Sequence, residues 1–255
     1  MTDIANALKA LATTAPTSLT TDVLTTTGTG RFYDIVSGPT GDLLIGWSTT
    51  GVYAVAPITE KDHFLEANAE GPMKPIPQEL PDKWHRQVAA ALDSGKLGRL
   101  PVDLSGLTEF QQAVLRKTIE IPPGQLRPYG WVAREIGKPG ATRAVGSALN
   151  KNPVPVLVPC HRVGRSDGTV GRYAYGPKMK RDLLRAEGLD PDAIDDAAER
   201  GVRFVGSATT NIYCHPTCHN AKRIKEANRV ELRTAGAAEK AGFRACMVCR
   251  PAAAA

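Results

Sequence analysis

Val156-Leu157-Val158-Pro159-Cys160-His161-Arg162-Val163 is the stretch on which the reading of this chain turns. Its apolar, β-branched start predicts a buried strand, and the run ends in a proline, a thiol and an imidazole. A cysteine at the exit of a rigid core element, next to a histidine, is how a positioned nucleophile is built. A lone cysteine after a Val/Leu run also fits a small core residue, and the flanking sequence has to decide between the two.

Upstream, Thr108 to Leu115 opens a helix that buries Phe110, Val114 and Leu115, and Pro122-Pro123-Gly124 stops it. Tyr129–Ile136 reads as a second helix ended by Gly137 and Pro139-Gly140. Thr142–Asn150 reads as a third, with Ala144, Val145 and Ala148 inward. Two short helices joined by a Gly-containing turn form the helix-turn-helix pattern. The small residues Ala144, Gly146, Ser147 and Ala148 would let the second of the pair approach a nucleic-acid backbone closely. Downstream come a Gly-rich loop, Gly164 to Gly176, and a last helix, Pro177–Gly188, carrying Met179, Leu183, Leu184 and Glu187.

The first hundred residues carry no cofactor motif and read as scaffold. An amphipathic helix is expected over Ile4–Leu11 and a loosely packed Thr-rich segment over Thr13–Thr29. Strands are expected at Arg31–Val36, Leu43–Ser48 and Gly51–Ala56, as an antiparallel meander. Helices follow at Glu60–Ala69 and Pro81–Leu92, the second with Trp84, Val88 and Leu92 on one face.

The net charge of +6 is unevenly spread: −4 over residues 1–103, +8 over 104–189, −5 over 190–199 and +7 over 200–255. Two basic blocks around an acidic spacer suggest two polyanion-binding surfaces, or ordinary solvated basic faces. No apolar run reaches the ~18 residues that span a bilayer, and Met1 to Ala15 lacks a secretory pattern. The expected compartment is the cytoplasm, where thiols stay reduced. The five cysteines are then metal ligands or reactive thiols. Cys214 and Cys218, with Cys246 and Cys249, form two close pairs whose four thiolates can complete a tetrahedral zinc shell. So short a segment with few large apolar side chains needs the metal's stabilisation. His215 and His219 do not fit the pair spacing and are expected at the surface or beside the ligands. Cys160 is left as the odd thiol.

Residues 108–188 closely resemble the O6-alkylguanine-DNA alkyltransferases. The resemblance is carried by Phe110-Gln111, Ile121-Pro122, Gly124, Tyr129, Ala133, Ile136-Gly137, Arg143-Ala144-Val145-Gly146, Asn152-Pro153 and Pro159-Cys160-His161-Arg162-Val163. It continues through Gly168, Gly171-Arg172-Tyr173, Lys180, Leu183-Leu184 and Glu187-Gly188. It implies transfer of an alkyl group from guanine O6, and possibly thymine O4, to Cys160 in one irreversible turnover. It also implies roles: His161 takes the thiol proton through a water, Glu187 supports the imidazole, and Asn152 braces the site. Arg143 fills the gap left by a flipped base, with Ala144 and Gly146 against the minor groove. Tyr129 rotates the phosphate and protonates the leaving base. Val163, Tyr173 and Ala174 line the base pocket, and Tyr175, where some members have Gly, either narrows it toward methyl groups or only covers its edge. The implied partner is double-stranded alkylated DNA, bound by a monomer without membrane contact.

Residues 203–251 resemble the zinc-binding methyl-acceptor domain of bacterial adaptive-response (Ada) proteins, through Phe204-Val205, Thr209 to Cys214, Pro216, Cys218, Ala241 to Arg244, Cys246, Cys249 and Pro251. That domain usually lies N-terminal, ahead of a regulatory DNA-binding domain which this chain lacks. Cys214 is either a second methyl acceptor, from backbone phosphotriesters, or only a structural zinc ligand. The expected fold class is α+β. An RNase-H-like domain covers 1–104, a helical winged-helix-like DNA-binding and active-site domain 105–190, an acidic linker 191–202 whose start, Asp190 to Glu199, reads as linker or short helix, and a small zinc-bound domain 203–251. The competing readings are a non-reactive binder of alkylated DNA, against which Cys160 with His161 argues, and a methylation-sensing regulator.

Overall fold

The computed structural model describes residues 23–251 apart from Thr25 and Pro72. The helix expected over Ile4–Leu11 and most of the Thr-rich segment lie outside the described residues.

The chain enters an antiparallel meander, β1 (Phe32–Gly38), β2 (Gly41–Ser48) and β3 (Gly51–Pro57). A fourth strand the sequence did not announce, β4 (Ile76–Pro77), runs parallel to β1 and gives the sheet order β3-β2-β1-β4. Two residues, one of them a proline, are too short a run to show alternation. Helix α1 (Lys61–Ala67) and the longer α2 (Asp82–Ser94) complete this part. Val88 and Leu92 of α2 are buried and Trp84 is half-buried, as their spacing predicts. The outer edge of β3 is covered rather than open. Val52 donates to the Pro101 carbonyl at 3.0 Å and Val55 to the Pro153 carbonyl at 2.8 Å, so the sheet continues directly into the helical part.

That part contains α3 (Glu109–Ile119), α4 (Tyr129–Glu135), α5 (Thr142–Asn150) and α6 (Gly176–Ala186). Helix α3 starts on a capping box in which Thr108 and Gln111 satisfy each other's backbone amides. In α5 the inward residues are Val145, Ala148 and Leu149, whereas Ala144, expected inside, is exposed.

The buried strand expected at Val156–Val158 does not form. Those residues are buried, but in a looped segment with only an isolated bridge between Pro155 and Val158, and Val156 adopts φ 72°. Prolines at 153, 155 and 159 remove the donors that a ladder needs. Apolarity is satisfied by burial alone, because strands β3 and β6 (Val163–Gly164) and the helices enclose the loop. Cys160 therefore sits on a short 3-10 turn, Cys160–Arg162.

Residues 190–199, where the sequence left a linker or a short helix open, form the helix. Asp190 caps α7 (Pro191–Glu199) by accepting from the amides of Asp192 and Ala193, with Pro191 in the first turn. Asp195 accepts from the amide of Val170 at 2.8 Å and pairs with Arg181, which fastens α7 to the helical part. The C-terminal module has its own sheet, order β10-β8-β7-β9, from β7 (Phe204–Ser207), β8 (Ile212–Cys214), β9 (Arg229–Leu232) and β10 (Arg244–Ala245), with helices α8 (His219–Lys222) and α9 (Ala235–Lys240).

Candidate active site and metal centre

Cys160 is 8 % exposed, and its Sγ accepts from Asn152 Nδ2 at 3.1 Å. The same amide nitrogen donates to the Val158 carbonyl at 2.9 Å, and Asn152 Oδ1 accepts from the Val154 amide at 3.1 Å. Asn152 thus ties both sides of the loop to the sulfur. Burial pushes the Cys160 thiol up, while the Asn152 bond and the charge of Lys180 pull the other way. The resting group is a thiol that has to be deprotonated before it attacks.

The adjacent His161 is 1 % exposed, and its Nε2 lies 2.9 Å from Glu187 Oε1 at the end of α6. That contact leaves Nε2 as the donor and puts the lone pair on Nδ1, which makes no hydrogen bond among the described residues. Burial lowers the imidazole pKa despite the nearby carboxylate. Glu187 also receives Arg162 at 2.6 Å and the Gly124 amide at 2.9 Å. Burial alone would raise its pKa, but the bonds from His161 and Arg162 prevail and hold it down to about 2.

Two buried cations here carry no role in the sequence reading. Arg162 is 1 % exposed and also donates to the carbonyls of Ile121 at 2.8 Å and Gly95 at 2.5 Å. Gly95 ends α2 at φ 66°, and a Cβ there would stand 2.6 Å from the guanidinium, so glycine admits this contact. Lys180, 1 % exposed, donates to the Val163 carbonyl at 2.6 Å and the Arg172 carbonyl at 3.1 Å. Its burial lowers its pKa to about 8, against the opposing pull of Cys160.

Of the expected pocket residues, Tyr173 and Val163 lie against Cys160. The Tyr173 hydroxyl faces Cys160 and is buried without another partner, and its ring meets His161 edge-on at 6.5 Å. Burial raises its pKa well above the ordinary phenol. Val163 is fully buried, with its amide bonded to the Cys160 carbonyl and its own carbonyl engaged by Lys180. Ala174 is exposed. Tyr175 packs beside Tyr173 at 6.1 Å and donates to the Val55 carbonyl of β3 at 3.3 Å, so it clips the loop to the N-terminal sheet. Tyr129, half-buried at the start of α4, rests against Gly146 of α5. Burial and the neighbouring Cys160 raise its phenol pKa, so it keeps its proton. Arg143 is exposed in the first turn of α5, a place where a cation opposes the helix dipole and an incoming anion would relieve both. A cleft of about 590 Å³ is lined by His161 and Glu187 but not by Cys160, and it runs between α2 and α6. It is not the pocket of the sulfur.

In the C-terminal module Cys214, Cys218, Cys246 and Cys249 are all buried, with their sulfurs within 4.8 Å of one another. Four sulfurs around one zinc stand about 3.8 Å apart when each bond is about 2.3 Å, so the donor set fits that ion. Bound there, zinc would keep the cysteines as thiolates. Asn220 donates to Cys246 Sγ at 3.5 Å. Cys214 also lines an open cleft of about 380 Å³ with Arg223 and Lys225. Both histidines fall within the expectation: His219 is exposed, and His215 is 5 % exposed beside the ligands, its Nε2 without a hydrogen bond among the described residues.

The fold and the two sites define a DNA-binding alkyl-acceptor protein with a metal module. The family described as "6-O-methylguanine DNA methyltransferase, DNA binding domain" matches residues 109–189, and "Metal binding domain of Ada" matches residues 193–252. A methylated-DNA–protein-cysteine methyltransferase of Methanosarcina acetivorans is 36 % identical over 167 residues, covering 62 % of this chain and 98 % of the relative. The regulatory protein ada of Salmonella typhimurium is 37 % identical over 152 residues, covering 58 % of this chain and 42 % of its own length. The crystal structure of Mycobacterium tuberculosis OGT in complex with DNA shares 29 % identity at a TM-score of 0.50, covering 66 % of this chain and 98 % of that one. The chain belongs to the methylated-DNA–protein-cysteine methyltransferases.

Proposed function

We propose that the protein repairs double-stranded alkylated DNA by moving a methyl group from guanine O6 to Cys160, once per molecule. The observation that carries this reading is the row Asn152–Cys160 and His161–Glu187, with His161 Nδ1 left free. A buried ring nitrogen without a partner costs stability, and this one, next in sequence to the thiol, is available to take the Cys160 proton through a water. The thiolate then attacks the methyl carbon, the carbon–oxygen bond breaks, and its electron pair stays on the base. Tyr129 is the proton donor to the departing guanine. The thioether has no ready route back to a thiol.

The target atom is inside the base stack, so the nucleotide has to leave it. Arg143 fills the gap, and the exposed Ala144 with Gly146 permits close approach to the minor groove. Tyr173, Ala174 and the Val163 backbone hold the extruded base, and the Tyr175 ring restricts the group transferred to small alkyls. In the same reading residues 1–104 are an RNase-H-like scaffold and 105–190 a winged-helix-like domain. The protein acts as a monomer in the cytoplasm, where its thiols stay reduced.

Cys214 is the candidate for a second acceptor, from methylphosphotriesters. Its cleft, lined also by Arg223 and Lys225, suits a phosphate backbone. Incubation with duplexes carrying either lesion, followed by peptide mass spectrometry, tests both sites. A methyl adduct on Cys160 is expected with the first substrate and on Cys214 with the second; no adduct on Cys160 refutes the main reading.

A further inference from the structure

The metal module is built into the body of the alkyltransferase. Buried Thr217, between the ligands Cys214 and Cys218, accepts from the Leu126 amide at 2.7 Å and donates back to the Leu126 carbonyl at 3.2 Å. Lys222, on the short helix that begins after Cys218, donates to the Gly124 carbonyl at 3.1 Å. The Trp131 indole of α4 donates to the carbonyl of the ligand Cys249 at 2.9 Å, in a fully enclosed contact. All three grips fall on the segment that leads into the active site or on its flanking helix.

Gly124 is where the two sites meet. Its carbonyl is held by the metal module while its amide donates to Glu187 Oε2 at 2.9 Å. It adopts φ 66°, and a Cβ there would come within 2.8 Å of the Glu187 carbonyl oxygen, so the segment is pressed onto the end of α6. Three residues later Arg127 starts β5 (Arg127–Pro128), paired with Val163 in the base pocket.

We infer that the metal module is a positioning device for guanine repair: Thr217 and Lys222 fix Gly124–Leu126, and the Gly124 amide sets the Glu187 carboxylate against His161. The two residues act through Glu187 and touch no substrate. Zinc enters because it would hold Cys214 and Cys218, and with them Thr217 and the start of α8, in one place. The match to the archaeal relative uses only 62 % of this chain, so the family's chemistry does not require the full length and the effect is graded. Loss of one such hydrogen bond, worth about 1 kcal/mol, corresponds to about a fivefold slower step.

The inference rests on the role proposed for Glu187, and the experiment separates the two. Full-length, zinc-loaded wild type, Lys222→Met, Lys222→Arg and Thr217→Val are compared in single-turnover methyl transfer to Cys160 over a range of DNA concentration. Amide exchange at Gly124 and Leu126 is followed by mass spectrometry in the same proteins and in wild type treated with a zinc chelator. Lys222→Met is expected to lower the limiting rate about fivefold at an unchanged half-saturating DNA concentration, with recovery in Lys222→Arg. Exchange at Gly124 should quicken in Lys222→Met and after chelation, and at Leu126 in Thr217→Val. Unchanged exchange overturns the contact. A change confined to half-saturation makes Lys222 a DNA contact and overturns the positioning role. Faster exchange with an unchanged rate overturns the inference through Glu187 while leaving the contact standing.

Discussion

Replacing Glu187 by glutamine keeps the shape of the side chain and removes its charge from the middle of a buried network. Arg162, 1 % exposed, would keep the carbonyls of Ile121 and Gly95 but lose its only counter-charge among the contacts described here. The carboxylate is held at about 2 rather than 4.5. That displacement corresponds to on the order of 3 kcal/mol of folded-state stabilisation at neutral pH, within the range for deleting one partner of a buried ion pair. Because the folded-state pKa is depressed, this stabilisation is fully present above 4.5 and drains away as pH falls toward 2. Denaturant melts of wild type and Glu187→Gln should therefore differ by about 3 kcal/mol at pH 7, and the gap should narrow once pH drops below about 4.5. The melting temperature should fall by roughly 6–12 °C. Single-turnover transfer to Cys160 should slow roughly 100-fold, since the amide still orients His161 but no longer stabilises its protonated form. A stability difference below about 1 kcal/mol at pH 7, or a gap that stays constant into acid, would refute the argument.

Arg143→Ala should slow repair of a paired O6-methylguanine about tenfold and leave reaction with the free modified base unchanged, because only the flipped state loses its stand-in. Equal loss on both substrates would mean that Arg143 acts on the chemistry. Tyr175→Gly should speed reaction with a benzyl-substituted guanine relative to methyl. It should also lower stability by about 1–3 kcal/mol, as the bond to Val55 and the packing on Tyr173 go. Unchanged benzyl reactivity would reduce Tyr175 to a clip between loop and sheet. Metal analysis should find one zinc per chain in the wild type and a marked loss in Cys218→Ser. Retention of full zinc would break the four-cysteine assignment.

Much of the local structure was legible in the chain. The meander follows from β-rich runs with Gly and Pro between them, and α5 was expected over the residues it occupies. The helix opening at Thr108 is α3, and the cysteine spacing alone announces the metal site. One misreading has a physical cause. Val156–Val158 has the composition of a strand, but composition reports burial, and the prolines around it leave burial without a ladder. For residues 190–199 the sequence leaves a linker and a short helix both open, and Asp190 capping the helix with Asp195 holding the Val170 amide decides for the helix.

Taken alone, the sequence determined which groups exist to do chemistry: one unpaired thiol beside an imidazole, a carboxylate at the end of α6, and four thiols at metal spacing. These depend on residue type and short-range spacing, which the chain carries explicitly. Only the tertiary structure decided how Cys160, His161 and Glu187 meet, that Arg162 and Lys180 are buried against them, and that Gly124 joins the metal module to the repair site. Those contacts span 17 to 98 residues of chain. They follow from packing separate elements together, for which no local pattern in the sequence stands as a sign.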